Sequence, residues 1–218
     1  MQELLTIVLA TSNHGKLVEL RALLADLPVQ LRSAAEVLQA ADLPSIVEDG
    51  ATFEENALIK ARAIARATRM IALADDSGLE VDALAGRPGV RSARFAHERA
   101  TDAENNAALL RELAEVEEGA RGARFRCVLA LVDPWHESNL HVAEGSCEGS
   151  IARTSRGSGG FGYDPLFLVS GHDGKAMAEL SEADKNRVSH RGRAVQALRA
   201  ILLGLVNARL DEAERIAG

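Results

Sequence analysis

Two adjacent carboxylates, Asp75 and Asp76, follow the apolar run that opens MIALADDSGLE, residues 70–80, with Ser77 and Gly78 next. Met70 to Ala74 reads as a buried strand that ends at the acids. Successive strand residues point to opposite faces, so only one of the pair can enter a given cleft. The other must cap, pair or face solvent. A third acid, Glu48, stands in VEDGATFEENALIKARA, residues 47–63. In that segment Glu55 is accounted for by a capping box with Thr52, and Glu54 by the positive end of a helix dipole. Glu48 has neither role, and Gly50 lets its segment turn toward the strand of Asp76. Two carboxylates at one locus repel unless a proton or a cation lies between them, and their hard oxygens suit Mg2+.

Three further segments could meet a ligand. ATSNHGKLVEL, residues 10–20, puts small polar residues between a strand and a helix, with Gly15 and Lys16 at the helix start. Backbone N–H groups and an ammonium there suit an anion. An ordinary turn fits equally well, with Thr11, Ser12 or Asn13 as N-cap and Lys16 paired to Glu19. GSGGFGYDPLF, residues 157–167, has four glycines in six positions around Phe161 and Tyr163, two aromatics without evident core neighbours. An aromatic on so permissive a loop is a candidate base-stacking platform or a packing anchor. SEADKNRVSHRGRA, residues 181–194, gathers Lys185, His190 and Arg191 in an otherwise acidic chain. Lysine is rare, four residues against 21 arginines, and Lys16 and Lys185 are two of the four.

The elements that must hold these residues alternate. Leu4 to Ala10 reads as a strand and Gly15 to Leu27 as a helix with apolar Leu17, Leu20, Leu23 and Leu24. The Thr52–Glu55 box starts a helix to about Thr68. Thr101 and Glu104 repeat the signal before a helix to about Glu118. Ala123 to Val132 and Leu140 to Arg153 form a hairpin, LFLV a short strand, and helices run from Ser181. The class is α/β with a mixed sheet, in a single domain over residues 1–218. A net charge of −7 without a basic stripe excludes a nucleic-acid surface. LLTIVLA is too short for a signal or membrane span, which makes a cytoplasmic protein the expectation. Cys127 and Cys147 have no metal-ligand spacing and read as buried free thiols.

TSNHGK, the ED-G-x-TFEENA segment, ADDSGLEVDALAGRPGVRSARF, GGFGYDPLF and the K-x4-HRG ending occur in one order over about residues 4–203. In this the chain resembles the inosine/xanthosine triphosphate pyrophosphatase family. The resemblance implies an elongated two-lobed α/β fold with the active site in a cleft between lobes, and a homodimer. It also implies Mg2+-dependent hydrolysis of ITP, dITP and XTP to the monophosphate and pyrophosphate. Carried over residue by residue, Thr11, Ser12, Asn13, His14, Gly15 and Lys16 match the phosphate loop. Glu48 and Asp76 match the metal ligands, Asp76 also the proton acceptor, and Ser77 a substrate contact. Phe161, Gly162, Tyr163 and Asp164 match the base-binding loop, completed by Lys185, His190 and Arg191. The tail from about residue 204 lies outside the resemblance. A related nucleotide pyrophosphatase or phosphatase of other base specificity and a non-catalytic nucleotide-binding module are the rival readings.

Overall fold

Thr52 starts the helix on which the first acidic segment depends. Its hydroxyl accepts from Glu55 N–H at 3.1 Å, and Glu55 Oε2 accepts in return from Thr52 N–H at 3.2 Å. In the computed structural model, which describes residues 4–136 and 140–217, this helix (α3) spans Phe53–Thr68. Phe53, Ala57, Lys60, Ala61 and Ile64 are buried, the i, i+3, i+4 spacing of one covered face. The second capping box is also formed, between Thr101 and Glu104, and starts α4 (Asp102–Glu112).

The strands β1 (Leu5–Leu9), β2 (Val29–Ser33), β3 (Ala72–Val81), β4 (Gly122–Val132), β5 (Leu140–Ile151) and β6 (Phe167–Val169) form one sheet in the order β2-β1-β3-β4-β5-β6. β1 runs parallel to β2 and β3, while β5 and β6 are antiparallel, so the sheet is mixed as expected. The remaining helices are α1 (His14–Leu23), the short α2 (Ala34–Val37), α5 (Glu182–Val188) and α6 (His190–Ala217). No helix of the described residues is long and apolar enough to cross a membrane.

The chain groups into two units. The first comprises Met1–Asp75, Val128–Ala143 and Ala194–Gly218, the second Asp76–Cys127 and Glu144–Arg193. In the first, Ile7, Leu9, Leu20, Ala61, Leu73, Leu129 and Leu198 are buried. The second has a core of Leu79, Val81, Leu109, Leu113, Phe125, Ile151, Tyr163, Phe167 and Met177. Both cysteines are buried and neither is joined in a disulfide.

Three expectations need correction. β3 does not end at the acids but runs on through Asp75, Asp76, Ser77 and Gly78 to Val81. Polar side chains survive in so buried a strand because cations meet them, Lys16 at Asp75 and Arg191 at Ser77. α4 stops at Glu112 rather than near Glu118, because Arg121 takes the carbonyls of Leu113 (2.6 Å) and Val116 (3.5 Å) that a longer helix would use. The same buried guanidinium also donates to the carbonyls of Ile151 (2.7 Å) and Ala152 (3.1 Å). α1 stops at Leu23, four residues early, as the chain turns before Pro28. The C-terminal tail continues α6, and Arg209 in it pairs with buried Asp133 at 3.1 Å. The proposed hairpin turn lies partly outside the described residues, at 137–139.

Candidate active site

In the first unit the segment before α1 is a tight cap. Asn13 Oδ1 accepts from Lys16 N–H at 3.2 Å, and Thr11 Oγ1 accepts from Asn13 N–H at 3.1 Å. Asn13 is therefore the N-cap, with Ser12 and His14 exposed beside it. Lys16 reaches beyond its own helix. Its ammonium lies 2.5 Å from Asp75 Oδ1, with the Asp75 side chain fully buried and that of Lys16 15% exposed. Of the two adjacent acids, Asp75 is the one that anchors Lys16.

Glu48 is held at its place by the helix that follows it. Lys60 Nζ donates to Glu48 Oε2 at 2.7 Å, from a nearly buried lysine to a half-exposed carboxylate. Gly50 sits against α3, its N–H donating to Asn56 Oδ1 at 2.9 Å and its carbonyl accepting from Asn56 Nδ2 at 3.4 Å. A Cβ there would lie 2.7 Å from Asn56 Oδ1 and 2.8 Å from Glu55 Cβ, so the approach requires glycine. Lys60 had no assigned role in the sequence, although its spacing from Asn56 placed both on one helix face.

In the second unit Asp76 is buried in β3. Next to it, Ser77 Oγ accepts from Arg191 Nη2 at 3.0 Å. The Arg191 guanidinium carbon also lies 5.8 Å from the centre of the Phe161 ring, and Lys185 Nζ lies 5.2 Å from it. Two cations thus flank one half-buried aromatic ring. Asp164 Oδ2 accepts from Phe161 N–H at 3.2 Å and from Lys185 Nζ at 2.8 Å. This oxygen helps shape the loop. A Cβ on Gly160 would lie 2.0 Å from that oxygen, which explains the glycine before Phe161.

The other loop aromatic corrects the sequence reading. Tyr163 belongs to the core of the second unit, and its hydroxyl donates to the Ser92 carbonyl at 2.8 Å. Burial, with the Asp102 charge as a lesser cause, pushes that hydroxyl's pKa well above the usual range. His190 is buried too, its ring stacked on Phe125 at 4.8 Å and 19°. The structure therefore brings Ser77, Phe161, Asp164, Lys185 and Arg191 together, while Tyr163 and His190 face packing partners. Sequence reasoning missed Asp102 and Asn106 of α4, which bond Gly162 of this loop across 60 and 56 residues. No spacing signal marks contacts so distant.

The family model described as the Ham1 family matches residues 7–201. A dITP/XTP pyrophosphatase of Desulforamulus reducens is 50% identical over 196 residues, covering 90% of this chain and 94% of that protein. One of Methylococcus capsulatus is 50% identical over 201 residues, covering 91% and 96%. Among solved structures, a HAM1 protein from Coxiella burnetii has a TM-score of 0.82 at 44% identity, covering 92% of this chain and all of that one. A nucleoside-triphosphatase / dITP/XTP pyrophosphatase from Mycobacterium abscessus has a TM-score of 0.71 at 45% identity, covering 89% and 98%.

Proposed function

The chain belongs to the Ham1 family, and from that membership and the local geometry we propose that it hydrolyses the non-canonical purine nucleoside triphosphates ITP, dITP and XTP to monophosphate and pyrophosphate. Water attacks the α-phosphorus, and pyrophosphate leaves. Asp76 takes the proton of that water. Lys16, with the backbone N–H groups of residues 11–16, meets the charge that builds on the departing pyrophosphate. Ser77 contacts the substrate beside Asp76. Phe161 stacks on the base, and Arg191 donates to the 6-oxo group that hypoxanthine and xanthine share and adenine lacks.

Glu48 and Asp76 are the proposed Mg2+ ligands. Among the described residues no cluster of three or more His, Cys, Asp or Glu could hold a metal. Two carboxylates nevertheless fit Mg2+, which keeps several waters and draws further oxygens from substrate phosphates. When bound, the metal offsets triphosphate charge and polarises the phosphoryl oxygens.

The observation that carries the reading is Arg191, a buried guanidinium that bonds Ser77 beside the proposed base and flanks the ring proposed for the purine. The test is release of pyrophosphate, against free phosphate, from a panel of nucleoside triphosphates with and without Mg2+. Pyrophosphate from dITP, ITP and XTP in excess of ATP and GTP is expected. Free phosphate as first product refutes it. The protein is further proposed to be a cytoplasmic homodimer, which light scattering at micromolar concentration contradicts if it finds a monomer.

A further inference from the structure

The geometry points to Asp102 and Asn106 as positioning residues for Phe161, an inference that rests on the reading of that ring as the purine platform. Gly160 and Gly162 flank Phe161 with φ of 75° and 62°, both left-handed. Glycine gives up more conformational freedom on ordering than any other residue. The plane of the Phe161 ring is therefore only as fixed as the contacts its loop makes outside itself. α4 provides two of them to a single residue. Asp102 Oδ2 accepts from Gly162 N–H at 2.7 Å, and Asn106 Nδ2 donates to the Gly162 carbonyl at 2.9 Å. The two side chains are four residues apart and so share one face of the helix.

The clamp completes a bracket. On the near side, Asp164 holds the Phe161 N–H, and on the far side Tyr163 is anchored in the core through Ser92. Gly162 is the joint between them. Asn106 itself argues for a role beyond packing. Its Oδ1 is buried with no hydrogen-bond partner among the described residues. A buried acceptor left unpaired costs stability, so an apolar side chain would pack better at this position. What the asparagine contributes is its donor to Gly162.

Steady-state pyrophosphate release from dITP is measured for Asp102→Ala, Asp102→Asn and Asn106→Ala, each alone and in a Phe161→Ala background, with thermal unfolding as a check. Each alanine variant is expected to raise KM roughly fivefold, the scale of one hydrogen bond, with kcat held within about twofold. Asp102→Asn keeps an acceptor oxygen and retains a KM near that of wild type. In the Phe161→Ala background the clamp variants add nothing further, because the ring they position is gone. Unchanged KM values overturn the inference. So do increases that persist in full without Phe161, or an Asp102→Asn variant as impaired as Asp102→Ala. If Asn106→Ala does not fold, the two variants at exposed Asp102 decide alone. A wild-type protein that releases no pyrophosphate from dITP overturns the purine reading and the clamp with it, whereas an active wild type with unaffected variants overturns the clamp only.

Discussion

Replacing Lys16 by methionine removes the ammonium 2.5 Å from Asp75 Oδ1 but keeps most of the aliphatic stem. The Asp75 side chain has no exposed surface, so its charge then has no route to water. Removing one partner of a buried pair costs about 3–5 kcal/mol. In a chain of 218 residues each kcal/mol moves Tm by about 2–4 °C, giving a fall of about 6–20 °C. Asp75→Asn is the milder change, about 1–3 kcal/mol, because a neutral amide needs no counter-charge and Lys16, 15% exposed, can turn outward. The double variant should lie close to Asp75→Asn alone, a departure from additivity that measures the pairing. The pH dependence has a definite sign. Losing a cationic partner makes a buried carboxylate harder to keep charged, so the Lys16→Met deficit shrinks as pH falls. Urea unfolding at pH 8 and pH 5 measures all of this. Equal losses from the two single variants with an additive double, or a Lys16→Met deficit independent of pH, would refute the reasoning.

Other outcomes follow from the site. Asp76→Asn should fold normally by circular dichroism yet lose about two or more orders of magnitude in turnover, the scale of a general base; near-normal turnover removes Asp76 from the mechanism. Glu48→Gln should raise the Mg2+ concentration needed for half-maximal rate, and an unchanged requirement counts against it as a ligand. Arg191→Ala should lower kcat/KM for ITP about ten- to a hundred-fold more than for ATP, the cost of one mismatched buried group. If the ITP-to-ATP ratio is unmoved, the 6-oxo contact is wrong. Burial pushes the Cys147 thiol up to about 11, so native protein at pH 8 should react sluggishly with a thiol reagent while denatured protein yields both Cys127 and Cys147. Rapid native reaction of both would contradict their burial.

What the sequence disclosed well was local. The Thr52–Glu55 and Thr101–Glu104 boxes each span four residues and are complete within them, so both helix starts were legible. That the adjacent acids part to opposite faces of a strand was legible, because strand alternation follows from the backbone alone. That Asp75 takes Lys16, 59 positions earlier, was not. Partners so distant also explain why β3 reads as ending at Asp75: polar residues signal an exit from the core unless a remote cation meets them. Tyr163 misled in the opposite direction, since its glycine neighbours advertise a mobile loop while its ring enters a core assembled from Leu79, Phe125 and Phe167. β2 was missed although VQLRS alternates, its five residues offering only two apolar positions to that pattern.

Arg121 has a consequence in how the second unit tolerates its surroundings. Four main-chain carbonyls surround its guanidinium much as ether oxygens surround a guest ion in a macrocyclic host, with the guest covalently tethered. Desolvation lowers its pKa from the ordinary arginine value, with the nearby Arg153 charge adding to the effect. Because the host is uncharged and dry, dissolved ions compete with it poorly. The exposed Arg153–Glu118 pair nearby, at 3.0 Å, is open to such screening. Rising ionic strength should therefore loosen the outer pair while the seat that fastens the end of α4 to the end of β5 holds. Lysine could not replace the guest, since a point ammonium cannot reach carbonyls spread around a planar fork.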